Sequence, residues 1–511
     1  MAGPSILYPE GASPDGPPLA LSATLADLNL DQLVEALAEG PAADAVRTVF
    51  SRPVRTSEVV AYRQDVFRAL EGQPWRTAAE AFARAMRSVR AALETAASLH
   101  HPRQQDWWRL EAIRLYTEAV AALDDAASRA AGTSAGLDAV AGHVHALRIG
   151  GAFPALASEV SALREALSAV RYAVRIRGPR VTVLPYGDEE DASADVARTF
   201  APFRGGAARD YRIRVSAPAE MNHVEGEILE RVAALFPNVF GRLAALRGQG
   251  PDDASFVDPV LGAFDRDLRF YLRYLAYLEP VREAGLPTCY PEVDDPDGAC
   301  VWRDGFDLVL AHALALEGKK AVVSDFSAAP AERAFIITGP NHGGKTTFAR
   351  AVGQLHVLAA LGCPVPGSEA RLGAIGPVLT HFERAERAGE DARSRLEDEL
   401  VRIRDILARA TPECLVVINE MLAGTTLGDA ARLGRRVMKR LAASGARYLW
   451  VTFIEDLAEA PGAVSLAAVS AGDLTPTFHV ERRPPGGVAY ALALARRHGL
   501  DPASLREVLE T

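Results

Sequence analysis

A short apolar run that leads into a glycine-rich loop is the feature that most constrains the fold of this chain. The run is Phe335-Ile-Ile-Thr338, and the loop is Gly339-Pro-Asn-His-Gly-Gly-Lys-Thr-Thr347. Because glycine has no Cβ, the backbone can turn tightly there and direct successive amide N–H groups inward. Behind the loop, apolar residues recur at the spacing of one helix face: Phe348, Val352, Leu355 and Ala359. The order strand, loop, helix predicts a phosphate-binding loop at a helix N-terminus.

The side chains of this loop suit a nucleoside triphosphate such as ATP. Lys345 can reach the outer phosphates, and the Thr346 hydroxyl suits Mg²⁺. His342 is expected to face solvent. The residues that we expect to contact the nucleotide form one set: Gly339, Pro340, Asn341, Gly343, Gly344, Lys345, Thr346 and Thr347.

Composition indicates a globular protein with more than one domain. The 511 residues are enough for two or more cores, and the net charge of −10 argues against a basic surface, so any contact with nucleic acid must be local. Four cysteines at irregular spacing predict reduced thiols. We find no basic segment followed by an apolar core at the N-terminus and no long apolar run. A cytoplasmic location without membrane contact is therefore expected.

The first half of the chain has the pattern of helices interrupted by one small hairpin. Helical spacing predicts an all-α region over 21–175, and two β-rich runs within Tyr172 to Pro185 predict a hairpin with one face in water. Residues 187–209 resemble a surface loop, and helix resumes near Ala219. An apolar seam from Leu261 to Leu278 runs along one helix, which should stop before Pro280 and have its tyrosines in the core.

The second half alternates strands and helices. Residues 287–299 are rich in proline and acidic residues and predict a linker. Continuously apolar runs near 321–323, 335–338, 414–418 and 448–452 predict strands covered by helices on both faces. The resulting division is a disordered tail (1–20), a helical core (21–175), the hairpin and surface loop (176–215), lever helices (216–290) and an α/β nucleotide domain (291–511).

Two polar residues that end an apolar strand complete the predicted site. The strand Cys414-Leu-Val-Val-Ile418 is followed by Asn419-Glu420, which should lie at the carboxyl edge of the sheet beside the glycine loop. Glu420 is the natural base to orient an attacking water. The residue before it is usually aspartate, and Asn419 offers Mg²⁺ only a neutral oxygen, so metal binding should be weaker.

These motifs resemble the ATPase domain of the MutS family, the ABC-class ATPases of DNA mismatch repair. Thr338 to Thr347 is similar to the family's Thr-Gly-Pro-Asn-x-Gly-Gly-Lys-Ser-Thr, and Gly424-Thr-Thr426 with Asp429 resembles its Gly-Thr-Ser-x-x-Asp. Ser394 to Glu399 stands where the family has Ser-Thr-Phe-x-x-Glu. Residues 477–499 resemble its closing strand and helix, and 61–70 and 221–227 resemble its core and lever helices.

The resemblance implies a homodimer that closes around two ATP molecules. Ser394 would then donate to the γ-phosphate bound by the other subunit, and the turn at Gly424 would line the dimer interface. Binding of DNA and contact with other repair proteins are further implications. Arg171, Arg175, Arg177 and Arg180 could contact DNA phosphates.

Departures from the family pattern limit these implications. We expect the mismatch-reading domain, the connector domain and a nuclease tail to be absent. Thr452-Phe453 replaces the family's Thr-His, and phenylalanine cannot donate a hydrogen bond to the γ-phosphate. With Asn419, this change predicts slow hydrolysis.

Three functional hypotheses follow. The first is a MutS-like ATPase in mismatch repair or recombination that dimerises around ATP and binds DNA. The second is an ATP-gated protein scaffold without DNA binding, favoured by the acidic balance. The third is a P-loop kinase, in which Ser394 and Gly424 would have no role.

Overall fold

The structure is a computed structural model in which the chain divides into two compact units. It describes residues 3–12, 22–38, 43–52, 54, 56–130, 132–187, 221–248, 253–293, 298–373, 376–383, 392–422, 425–471 and 475–484. For residues 22 and 392–395 it describes the backbone only. The first unit comprises 1–73, 132–139 and 266–511, and the second comprises 74–131 and 140–265.

Helices dominate the described chain before residue 290, as the apolar spacing predicts. Their bounds are α1 Ser22–Asp27, α2 Leu30–Leu37, α3 Ala43–Ser51, α4 Ser57–Glu71, α5 Gln73–Ser98, α6 Pro102–Ala127, α7 Ala135–Ile149, α8 Ala152–Ser168, α9 His223–Leu235, α10 Pro237–Ala245 and α11 Pro259–Glu283. Helix α9 begins where Asn222 and Glu225 form a capping box, a few residues after the expected start near Ala219. The expected surface loop over 187–209 lies, apart from residue 187, outside the described residues.

Helices α6, α8, α9 and α10 share a core in the second unit. Leu110, Leu163, Val232 and Leu243 are buried together there. The predicted hairpin is present as β1 Tyr172–Arg177 and β2 Arg180–Pro185, paired antiparallel with Arg177 opposite Arg180. We expected only one face in water, but both faces are mostly exposed, because its apolar contact with the core is limited to residues such as Val183.

Helix α11 corrects one prediction and confirms another. It continues through Pro280 to Glu283 and does not stop before the proline. A proline inside a helix costs about 3 kcal/mol. Here the flanking Leu278 and Val281 are fully buried, which offsets that cost, and the N–H of Ala284 bonds to the carbonyl of Pro280 at 3.0 Å. The tyrosines of this helix, Tyr271, Tyr274 and Tyr277, are buried as expected.

Strands and helices alternate in the rest of the first unit. Their bounds are β3 Thr288–Cys289, β4 Glu292–Val293, β5 Cys300–Gly305, α12 Leu308–Leu316, β6 Ser324–Ala328, β7 Ala334–Thr338, α13 Lys345–Ala360, β8 Val365–Pro366, β9 Glu369–Leu372, β10 Val378–His381, α14 Ala392–Arg409, β11 Leu415–Asn419, α15 Leu427–Ser444, β12 Arg447–Val451, a 3₁₀ turn Glu455–Leu457, β13 Ala463–Ser470 and β14 Pro476–Arg482.

A six-stranded sheet positions the site. Its order is β10-β11-β12-β7-β13-β14, and every neighbouring pair is parallel except β13 and β14. Every residue of β7, β11 and β12 is buried, which explains their continuous apolar sequence. Because the three strands are parallel and in register, their carboxyl ends meet at one edge, where functional loops of α/β folds usually lie.

Two predictions in this unit are wrong in detail. The strand expected at 321–323 lies at Ser324–Ala328, where Phe326 and Ala328 alternate inward from exposed neighbours. The linker expected over 287–299 instead contains β3 and β4, because Thr288 and Cys289 pair with β8 and Glu292 and Val293 pair with β9. Residues 294–297 lie outside the described part of the chain.

The compact units divide the chain differently from the predicted domains. Residues that flank the N-terminal helices contact α13 within the first unit: Leu28, just after α1, packs against Gly353, and the N–H of Val54, between α3 and α4, donates to the carbonyl of Ala360. The compact units reflect which residues contact one another. They do not test whether the chain divides into separable domains at residue 291, which stays a prediction. All four cysteines have free thiols, as expected.

Candidate functional site

The glycine-rich loop joins the end of β7 to the start of α13 and requires glycine at three positions. Gly339 and Gly344 have φ of +124° and +90°, a region that other residues rarely adopt. A Cβ on Gly343 would lie 3.0 Å from the Cβ of Ala468, and one on Gly344 would lie 3.0 Å from the carbonyl oxygen of Phe478. The loop is therefore packed closely against β13 and β14, with room for backbone only.

Lys345 is the first residue of α13 and is buried within the loop. Its Nζ donates hydrogen bonds of 2.8 Å to the carbonyl oxygens of Gly339 and Pro340. Burial lowers the pKa of Lys345, and the nearby Glu420 carboxylate acts in the opposite direction. A partly desolvated cation at a helix N-terminus is an arrangement that favours a bound anion.

The two residues predicted to hold Mg²⁺ are in direct contact. Thr346 Oγ1 donates to Asn419 Oδ1 at 2.8 Å, and Asn419 is the buried last residue of β11. Hydroxyl and amide oxygens are ligands that Mg²⁺ accepts. Among the described residues, no cluster of three or more His, Cys, Asp or Glu side chains could bind a metal ion. Thr346 and Asn419 would therefore offer Mg²⁺ two oxygen ligands.

Glu420 follows β11 directly and has left-handed backbone geometry, with φ of +50°. Its N–H donates to the carbonyl of Val451 at 2.9 Å, which ties it to β12, and its side chain is half-buried. Glu420 therefore lies at the same sheet edge as Lys345, whose charge it influences. A carboxylate near a phosphate-binding loop can orient and deprotonate water.

The other residues predicted for the site either lie at this edge of the sheet or fall outside the residues that the structure describes. Asn341 and His342 are exposed, in agreement with the expectation for His342. Ser394 is in the first turn of α14, but its side chain lies outside the described residues, as does all of Gly424. Thr426 caps α15, with its hydroxyl accepting from the N–H of Asp429. Phe453 is 48% exposed just beyond β12.

An apolar cavity beside the loop was missed by the sequence reasoning. It measures about 310 Å³, and its wall includes Trp302, Leu310, Val322, Thr347 and Phe478. Phe478 has φ of +61° and is 51% exposed. An aromatic residue within the closing strand was the available signal, but its position beside Thr347 depends on a contact between distant segments.

Introducing aspartate at position 419 tests whether Asn419 weakens Mg²⁺ binding. In the Asn419→Asp variant, a carboxylate would replace a neutral amide beside Thr346, and we expect the Mg²⁺ concentration for half-maximal ATP hydrolysis to fall by about 10-fold. A Mg²⁺ titration of phosphate release measures this. The control is Asn238→Asp on α10 in the second unit. An unchanged Mg²⁺ requirement would show that residue 419 does not act on the metal.

Together, the parallel sheet, the glycine-rich loop and the polar strand end define an α/β fold with a loop of the P-loop type at the carboxyl edge of its sheet. Residues 335–477 match the family model described as MutS domain V. The resemblance to the MutS family seen in the sequence is thus confirmed for this segment of the chain.

Curated relatives agree with this assignment. The chain is 31% identical over 205 residues to endonuclease MutS2 of Gemmatimonas aurantiaca, covering 39% of the chain and 25% of the relative. It is 30% identical over 230 residues to DNA mismatch repair protein MutS of Zymomonas mobilis, covering 43% of the chain and 26% of the relative. It is 33% identical over 264 residues to endonuclease MutS2 of an Anaeromyxobacter species, covering 48% of the chain and 32% of the relative. The chain thus matches about a quarter to a third of the length of each.

Within the described ranges, no helix combines the length and apolar character needed to cross a bilayer.

Proposed function

We propose that this chain is an ATPase that binds ATP with Mg²⁺, hydrolyses it slowly, dimerises around it and binds DNA in repair or recombination. The observation that carries the proposal is the meeting of Lys345, Thr346, Asn419 and Glu420 at one edge of a parallel sheet. This arrangement supplies the anion site, the metal ligands and the water-orienting base that phosphoryl transfer needs. The MutS domain V match and the relatives support the family context.

Each residue has a distinct role in this proposal. Lys345 and the loop amides would bind the β- and γ-phosphates, while Thr346 and Asn419 would hold Mg²⁺. Bound Mg²⁺ would supply neutralisation of the charge that develops on the phosphate oxygens. Glu420 orients water and accepts its proton. The apolar cavity that includes Trp302 and Phe478 suits the nucleoside base, since such a pocket buries an aromatic ring.

Slow turnover follows from two side chains. Asn419 lacks the charge of an aspartate, and Phe453 offers no donor to the γ-phosphate. Loss of one aimed donor commonly lowers kcat by ~10²–10³. Binding depends mainly on the loop, so we propose that ATP binding is retained and that switching is the main use of the nucleotide.

Dimerisation is supported by apolar residues exposed at the same edge. Leu427 is 61% exposed at the start of α15, and Phe453 is also largely exposed. Large apolar side chains beside a polar site are typical of surfaces that become buried in an interface. We propose that a second copy covers them and brings Ser394 and Gly424 to the bound ATP.

The hairpin supports DNA binding. Arg175, Arg177 and Arg180 are exposed, and none forms an ion pair within the part of the chain that the structure describes. Arg177 lies directly opposite Arg180, and like charges opposed across strands are destabilising. A phosphate between them would relieve this repulsion, so the basic face favours a polyanion.

The opposite face of the hairpin favours the alternative of an ATP-gated protein scaffold. Tyr172, Val174, Ile176 and Val181 share this face and are exposed, with Ile176 at 70%. Such a patch could dock a protein partner without any contact with nucleic acid. Measurements of DNA binding separate the two functions.

Removing the hairpin arginines tests DNA binding. In the triple variant Arg175→Ala, Arg177→Ala, Arg180→Ala, we expect DNA affinity to fall on the order of 10–100-fold at ~0.1 M salt, with the slope of log affinity against log salt shallower by about 3. Fluorescence anisotropy with branched, nicked and plain duplex DNA, with and without Mg-ATP, measures both quantities.

A matched variant controls for net charge. Arg436→Ala, Lys439→Ala, Arg440→Ala removes three exposed cations from α15 and should leave DNA affinity within about 3-fold of wild type. If wild type binds none of the DNA structures at low salt, DNA binding is wrong and the scaffold function is favoured. If both variants weaken binding equally, the hairpin is not the DNA contact.

A further inference from the structure

The turn that follows β11 has an unusual backbone. Glu420 and Leu422 both have left-handed geometry, with φ of +50° and +67°, and neither is glycine. Residues with a Cβ adopt this region rarely, and two within three positions persist only where the surroundings hold them. Because Glu420 is the proposed water-orienting base, whatever holds this turn also sets the direction of its carboxylate.

Polar contacts and close packing hold the described part of the turn. The N–H of Glu420 donates to the carbonyl of Val451 on the neighbouring strand. The N–H of Leu422 donates to Glu399 Oε2 at 3.3 Å. Met421 and Leu422 are each only 1% exposed. The first contact is part of the sheet, whereas the second comes from a side chain on α14.

Helix α14 is itself fixed by contacts beyond the turn. Ile403 and Ile406 lie in the same core cluster as Met421 and Leu422. About one turn beyond Glu399, Arg402 donates to the carbonyl of Phe382 at 3.3 Å and pairs with Asp27 at 3.8 Å. The Asp27 carboxylate also accepts from the Thr380 hydroxyl at 2.7 Å. The Glu399 carboxylate is thus presented to the turn by a helix anchored at the edge of the sheet.

We propose that Glu399 is a positioning residue for hydrolysis. It holds the left-handed turn through the Leu422 amide, and the turn aims Glu420, so the orientation of α14 controls turnover without contact between Glu399 and the nucleotide. This inference rests on the proposed ATPase function. A shift of α14 would then alter hydrolysis while leaving the phosphate loop unchanged.

Substitution at position 399 tests the proposal by separating binding from turnover. In Glu399→Ala, a misdirected Glu420 should lower kcat by about 10–100-fold while the Kd for ATP stays within about 2-fold. Glu399→Gln keeps an acceptor oxygen and should restore kcat to within about 3-fold of wild type. Glu397→Ala removes an exposed carboxylate from the same helix and is the matched control.

Amide exchange gives a readout that does not depend on catalysis. Exchange of the Leu422 amide should be at least about 10-fold faster in Glu399→Ala than in wild type and Glu397→Ala. If wild type does not hydrolyse ATP, the proposed function fails, and the exchange result still decides whether Glu399 holds the turn. Unchanged exchange in Glu399→Ala, or equal kcat in the 399 and 397 alanine variants, would overturn the proposal. If Glu399→Ala and Glu399→Gln lose the same fraction of kcat and both unfold at a lower urea concentration than wild type, Glu399 only stabilises the fold.

Discussion

Replacing Lys345 with alanine will weaken ATP binding on the order of 100-fold and remove measurable phosphate release. The ammonium of Lys345 is the buried cation of the phosphate loop, and charge-assisted hydrogen bonds to phosphate contribute about 1.5–3 kcal/mol each. Its loss leaves the loop amides and the helix N-terminus as the remaining anion site. Titration with a fluorescent ATP analogue measures the affinity, and a phosphate sensor measures turnover.

A distant lysine provides the control for this variant. Lys439 is exposed on α15, so Lys439→Ala should bind ATP as wild type does. Circular dichroism establishes that the Lys345→Ala protein is folded. If folded Lys345→Ala retains ATP affinity within about 3-fold of wild type, the phosphate loop is not the ATP site.

The Glu420→Gln variant should separate ATP binding from hydrolysis. Glutamine has nearly the same shape but cannot accept a proton from water, so we expect the single-turnover rate to fall by ~10²–10³. Because Glu420 does not belong to the phosphate loop, the Kd for ATP should stay within about 3-fold. Single-turnover phosphate release and the same nucleotide titration measure the two effects.

An exposed glutamate beyond the site serves as the comparison. Glu459→Gln removes a surface carboxylate after β12 and should leave both quantities unchanged. Equal hydrolysis by Glu420→Gln and wild type would assign the water-orienting role to another residue.

The sequence predicts the central sheet and phosphate loop well because their signals are local. The strands at Phe335, Val416 and Leu449 are continuously apolar, since both faces are covered. The helix after the loop has its apolar residues on the buried face, including Val352 and Leu355. The pairing of Thr346 with Asn419 follows from the order of motifs, since parallel strand ends meet at one edge.

Other features depend on contacts between distant segments, which a single sequence does not display. Pro280 lies inside a helix because burial of its neighbours outweighs its local cost. Thr288 and Cys289 form a strand only because Val365 and Pro366 pair with them. The contact between Glu399 and Leu422 likewise joins a helix to a loop, and neither residue type predicts it. The cavity beside Thr347 includes Trp302 and Phe478, which are far apart in the chain.

The most direct test of the proposed ATP-dependent dimer is sedimentation velocity of the Glu420→Gln protein with and without Mg-ATP. Each chain has a mass of 54.6 kDa. We expect a monomer without nucleotide and a species of twice that mass with Mg-ATP, whereas Lys345→Ala should remain monomeric in both conditions. The same oligomer with and without Mg-ATP, in both Glu420→Gln and wild type, would contradict a dimer that closes around ATP.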